Sequence, residues 1–170
     1  FLVTTSMDTD MGLARRLPQP PDPDQEDAQI DVNERNVLNV RLNGAGDLMI
    51  NSDIADIKEL RPRAKEFIKN EADLSSLPEK HVKEIDLLGP CYITDKHVIS
   101  VQTDRGTPYD VYFNVQNELV AAYNELREEL SKAKFGRSYE FLTDEQKVAI
   151  RTYYPQKISE AEPRNYGGNK

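Results

Sequence analysis

The chain has 170 residues, with 22 Lys and Arg against 30 Asp and Glu, a formal net charge of −8. That balance argues against a general nucleic-acid or anionic-membrane-surface binder, since both need a basic face. The single cysteine, Cys91, excludes an intrachain disulfide framework and a cysteine-based zinc cluster, and no run approaches the ~20 apolar residues of a membrane span.

The charge is unevenly placed. Residues 1–7, Phe-Leu-Val-Thr-Thr-Ser-Met, carry none. Residues 8–34 hold eight acids and two bases, a net −6, which leaves the remaining residues nearly neutral at −2. The acidic segment also holds Pro18, Pro20, Pro21 and Pro23. Proline fixes φ and lacks an N–H, and few apolar residues are there to bury, so 8–34 reads as an extended linker. Residues 1–7 read as the end of a truncated membrane helix, 35–162 as the domain and 163–170 as a tail.

In the body, Leu38, Val40 and Leu42 alternate with Asn39, Arg41 and Asn43, the pattern of a half-buried strand. Asn43-Gly44-Ala45-Gly46-Asp47 is a turn, and Leu48-Met49-Ile50-Asn51 returns as a second strand. A helix follows, with Ile57, Leu60, Ala64, Phe67 and Ile68 at helical spacing and Asp56 with Glu59 as a capping box. Pro62 conflicts with it, implying a later start or a bend. Residues 70–96 read as an irregular inserted loop or short helix.

Residues 97–103 form a third strand, broken at Asp104-Arg105-Gly106. Thr107-Pro108-Tyr109-Asp110 predicts a helix with Thr107 as N-cap and Pro108 in the first position. Its apolar stripe is Val111, Val115, Leu119, Ala122, Tyr123, Leu126, Leu130 and Ala133, and Gly136 is the stop. From 108 to 133 it would run ~39 Å at ~1.5 Å per residue. A second box at Thr143 and Gln146 starts a short helix ending near Tyr153, and 156–160 reads as a last short strand. The layout predicts an α+β fold, a small mixed sheet with helices packed on one face.

No catalytic constellation emerges, and neither a cofactor nor a metal site is assigned. His81 and His97 stand apart from other ligands; His97, at a strand start, reads as a packed or surface residue. Ser75 and Ser76 lack a base partner. Glu125, Glu128 and Glu129 read as a charged helix face, with Glu128 paired to Lys132. Cys91 reads as a small apolar filler. Pattern alone therefore gives a tethered, non-enzymatic binding or assembly module.

The ordered set of these pieces resembles the periplasmic region of the ExbD/TolR family of biopolymer-transport proteins. Residues 1–7 resemble the periplasmic end of the family's single membrane helix, and Leu17-Pro18 the start of its linker. Val37-Leu38-Asn39-Val40-Arg41-Leu42, the turn at 43–47 and Leu48-Met49-Ile50-Asn51 resemble its first hairpin. Val98-Ile99-Ser100-Val101-Gln102-Thr103-Asp104-Arg105 is similar to its next strand, and Tyr109 stands five residues after Asp104, as the family's tyrosine does.

The resemblance implies a single-pass inner-membrane protein of a Gram-negative envelope, with this region in the periplasm. It implies a homodimer inside an ExbB-like channel that uses the proton gradient to act on a TonB-like transducer. The family's proton-linked aspartate lies in the membrane helix, so no residue of this chain is assigned proton transfer. A TolR-like subunit bound to peptidoglycan and an unrelated periplasmic binding module are the alternatives. Recognition by β-augmentation is the mechanism expected of this region, at the 37–42 hairpin or a neighbouring edge. The residues singled out for partner contact are Val37, Leu38, Val40 and Leu42, with Asp104 and Tyr109. Two departures from the family pattern are expected: a longer connection at 71–96, and the extra helix Asp144–Tyr153 in place of the closing strand.

Overall fold

The computed structural model describes residues 33–161. The stub at 1–7, nearly all of the linker at 8–34 and the tail at 163–170 lie outside them. Strands β1 (Val37–Leu42), β2 (Leu48–Ile50) and β3 (Asp53–Ala55) are followed by helix α1 (Ile57–Lys69). Strands β4 (His81–Ile85), β5 (Gly89–Ile93) and β6 (Val98–Thr103) come next. Helices α2 (Tyr109–Phe135) and α3 (Asp144–Tyr153) precede the last strand, β7 (Ile158–Ala161). The fold is α+β, with a mixed five-stranded sheet ordered β3-β2-β1-β6-β7 and a separate β4-β5 hairpin.

Strand β1 occupies the centre. It pairs antiparallel with β2 (Val40 with Ile50) and parallel with β6 (Val37 with Val98). Its alternation puts Leu38, Val40 and Leu42 in the core with Leu48, Ile50, Ile99 and Val101. Helices α1 and α2 cover that face with Leu60, Ala64, Phe67 and Ile68 from one, and Val115, Leu119, Ala122, Tyr123, Leu126 and Leu130 from the other. Burying each large aliphatic side chain contributes ~1.5–3 kcal/mol, so this layer is the main source of stability. The opposite face carries exposed Asn39 and Arg41.

Helix α1 starts where its cap predicts: Asp56 accepts the Lys58 N–H at 2.9 Å. The other half of the expected capping box is replaced, since Glu59 pairs with Arg63 at 3.2 Å. Pro62 neither delays the start nor ends the helix; it sits inside α1, where its ring is exposed. Its missing N–H leaves one backbone bond unmade there. Pro62→Ala is expected to stabilise the domain by about 1 kcal/mol or more, read as a higher urea midpoint at unchanged slope. Two ion-pair groups bind α1 to α2: Arg61 to Glu118 and Glu125, each at 2.8 Å, and Lys65 to Glu129 at 2.7 Å. The acidic face of α2 is thus partly an interhelical seam. Glu128 does pair with Lys132, at 3.3 Å.

Four expectations are corrected. Residues 70–96 are not irregular throughout, because 81–93 form the β4-β5 hairpin, with Lys83 opposite Cys91. Buried Asn70 shapes the loop before it: its side chain donates to the Pro78 carbonyl at 2.8 Å and accepts the Leu74 N–H at 2.8 Å. Helix α2 begins one residue later than predicted, with Pro108 as N-cap and no side-chain cap. Thr107 turns its hydroxyl back instead, donating toward the Asp104 carbonyl at 2.8 Å. Ala133 lies outside the buried stripe. Finally, α3 does not replace the closing strand: β7 follows it and pairs parallel with β6, Ile99 opposite Ile158.

The stop of α2 and the start of α3 match expectation. Gly136 ends α2 in the left-handed region at φ 66°, and Thr143 and Gln146 form a complete capping box. The β4-β5 hairpin and α3 share a small core of Ile85, Cys91, Ile93 and Ala149. Cys91 is a buried apolar filler there, and burial pushes its thiol pKa up. Among the described residues no helix is long and apolar enough to cross a membrane.

Candidate partner-binding edge

A sheet accepts a peptide only where a strand lacks a neighbour. Among the described residues, the outer strands of the five-stranded sheet are β3 and β7. The residues singled out on β1 lie between them: Leu38, Val40 and Leu42 are core, and Val37 is half-buried. With β2 on one side and β6 on the other, β1 has no free backbone edge. A peptide added to this sheet would pair at an outer strand.

Asp104 and Tyr109 lie at the end of the β1-β6 pair where α2 begins. The Asp104 N–H donates to the Leu42 carbonyl at 3.0 Å, which brings these two predicted residues together. Val37 lies at the opposite end of the strand, beside Val98. Tyr109 is 75 % exposed and stacks on Phe113, with ring centroids 6.2 Å apart. The first turns of α2 thus carry an exposed aromatic pair.

Beside β3 lies a groove of about 330 Å³. Leu48, Ile54, Ala55, Ile57, Val111 and Val115 give it apolar walls, and Asp47 and Asp56 give it an acidic rim. The strand reaches this position through a tight turn with left-handed Asn51 (φ 49°) and Ser52 (φ 77°). Asn51 ties that turn to β1, accepting the Asn39 N–H on its side chain at 3.0 Å and donating its own N–H to the Asn39 carbonyl at 2.8 Å. Ile54 is 83 % exposed. Pattern reading did not find β3, because Asp53-Ile54-Ala55 offers one large apolar residue and no alternation. The signal available was the Asn51-Ser52 pair, residue types suited to a reversal after β2.

The far edge is occupied differently. Tyr112 donates its phenol proton to Glu160 on β7, and that bond holds the phenol pKa above its usual value. The Gln116 side chain adds a bond to the same carboxylate at 3.3 Å. Strand β7 is therefore fastened to α2 by side chains.

Among the described residues the candidate polar groups meet only in pairs or small ionic sets. The turn after β5 brings His81 within 3.2 Å of Asp95, a partner that sequence spacing hid, and Lys83 reaches the same carboxylate at 3.4 Å. Among the described residues no group of His, Cys, Asp and Glu could hold a metal ion. Of the packed or surface positions open to His97, the structure shows the packed one, at 0 % exposure.

No curated protein matched the chain. The family model described as "Biopolymer transport protein ExbD/TolR" matches residues 1–127, from the first residue to within α2. That match, over 127 of the 170 residues, makes this chain a member of the ExbD/TolR family.

Proposed function

We propose that this chain is the periplasmic part of an ExbD-like subunit that couples an inner-membrane, proton-driven motor to a TonB-like transducer. Members of the family are non-enzymatic accessory subunits of transport linked to the proton-motive force, and act in ExbB/TolQ-type complexes. In this reading the protein sits in the inner membrane of a Gram-negative envelope, pairs with a second copy, and contacts an ExbB-like channel through its membrane helix. The described domain supplies recognition.

The observation that carries this reading is the outer edge of β3, without a neighbouring strand among the described residues, beside an apolar, acid-rimmed groove. Strand addition satisfies the free backbone groups of an edge, while the groove selects side chains. Apolar walls with Asp47 and Asp56 suit an extended segment that bears both apolar and basic residues.

Ile54→Lys tests it. The side chain is exposed, so the change should alter stability by no more than about 0.5 kcal/mol. A lysine on an edge strand obstructs strand addition and repels a basic partner. Capture of a TonB-like periplasmic segment by the full-length protein should fall at least tenfold at unchanged melting temperature. Undiminished capture would reject the β3 site. Retention on peptidoglycan sacculi without capture of the transducer segment would favour the TolR-like role.

A further inference from the structure

His97 is fully buried and both its ring nitrogens are engaged. Nδ1 lies 2.5 Å from the Thr94 carbonyl, which can only accept, so Nδ1 carries the proton. Nε2, 2.6 Å from the Tyr123 phenol oxygen, then accepts the phenol proton. That oxygen in turn accepts the Lys157 N–H at 3.2 Å. The carbonyl of Lys157 accepts the Ile99 N–H at 2.9 Å, the first rung between β7 and β6. One line of hydrogen bonds therefore runs from the turn before β6, through α2, to the entry of β7.

Strand β7 depends on this line more than a central strand would. It has four residues and, among the described residues, one neighbouring strand. Its other side-chain fastenings, Glu160 to Tyr112 and Gln116 and the Lys157 ammonium to the Asp95 carbonyl, lie on exposed surface.

We propose that β7 is an acid-released latch: a proton on His97 breaks the relay through Tyr123 to Lys157 and frees β7 from β6 while the rest of the sheet stays folded. A protonated imidazole donates from both nitrogens. Nε2–H would then face the phenol oxygen, and the phenol proton would lose its acceptor in a buried place. The surroundings offer the new charge little relief. Helix α1 presents the Phe67 ring edge-on at 6.1 Å. Helix α2 presents Tyr123, with the Arg127 guanidinium 5.9 Å from that ring. The turn before β6 contributes Asp95, which favours the proton, and the segment before β7 contributes Lys157, which opposes it. Burial outweighs both the Nδ1 bond to the Thr94 carbonyl and Asp95, which favour the proton, and lowers the imidazole pKa from 6.5 to about 4. Once β7 lifts and water reaches the ring, the ordinary value returns. Going from pH 7.5 to 5 should therefore favour the open form about thirtyfold.

Amide hydrogen exchange on the full-length protein, corrected for intrinsic rates, tests this directly. Opening at the Ile99 amide should rise about thirtyfold between pH 7.5 and 5, while the β1 amides change far less. His97→Phe should remove that response. Tyr123→Phe, which keeps the ring and cuts the relay, should raise Ile99 opening severalfold at pH 7.5. Equal opening at the two pH values would overturn the latch. So would equal loss of protection in β1 and β7, or a pH response retained in His97→Phe. Should His97→Phe not fold, unchanged Ile99 opening in Tyr123→Phe overturns it alone.

Discussion

Leu42→Ala is expected to destabilise the domain by about 2–5 kcal/mol, measured by urea unfolding. Leu42 is 1 % exposed and belongs to the layer under α1 and α2. Truncation removes its transfer free energy and leaves a cavity that the rigid central strand cannot close. Domains of this size are stable by about 5–15 kcal/mol, so a large share of folded protein is at risk. Any loss of partner capture in this variant should therefore track the loss of folded protein. The same truncation at Ile54, exposed on β3, should change stability by less than about 0.5 kcal/mol. If Leu42→Ala weakened capture while leaving the urea midpoint in place, Leu42 would be a contact residue and not core.

Acidification should bring the second large effect. His97 is buried neutral, with its pKa lowered from 6.5 to about 4 chiefly by burial. The unfolded chain then binds more protons than the native one between those two values, so stability rises with pH across that window. The contribution is fully present above pH 6.5, declines as pH falls, and is fully lost below pH 4. Its size is about 3 kcal/mol, because a tenfold difference in proton affinity is equivalent to about 1.4 kcal/mol. Carboxylates titrate in part of the same range, so the measurement is a difference. Urea unfolding of the wild type and of His97→Phe from pH 7.5 to 4 should give diverging curves, with the wild type falling more steeply below pH 6.5. Parallel curves would show that His97 titrates alike in both states.

These effects rest on residues of unequal visibility in the sequence. The hairpin at 37–50 was legible because one face of β1 is buried and the other wet, and alternation reports that difference directly. The long stripe of α2 and the box at Thr143 were legible for the same local reason. The β4-β5 hairpin was not, since its outward side chains include Val82 and Tyr92 and its buried side leans on α3, more than fifty residues on. A proline at position 90 also reads against a strand until its place in a two-stranded ribbon, where every strand is an edge, is known. The candidate edge escaped for a related reason. Pairing partners define an edge, and three residues such as Asp53-Ile54-Ala55 carry no record of what lies beside them. The His97 relay joins residues from a turn, a helix and a strand entry, and spacing cannot show such a convergence.

The placement of β1 at the centre also dictates the order in which the molecule can assemble. Its parallel partner is reached only after α1 and the hairpin have been made, with Val37 opposite Val98; β6 then waits for α2 and α3 before Ile99 meets Ile158. Each closure spans about sixty residues, and its entropy is lost before the ladder returns any of it. Within the five-stranded sheet, among the described residues, only the β1-β2-β3 meander forms from strands adjacent in sequence. A nascent chain would therefore carry the β6-facing side of β1 unpaired through much of synthesis, and a second unfinished copy is the most similar strand available to occupy it.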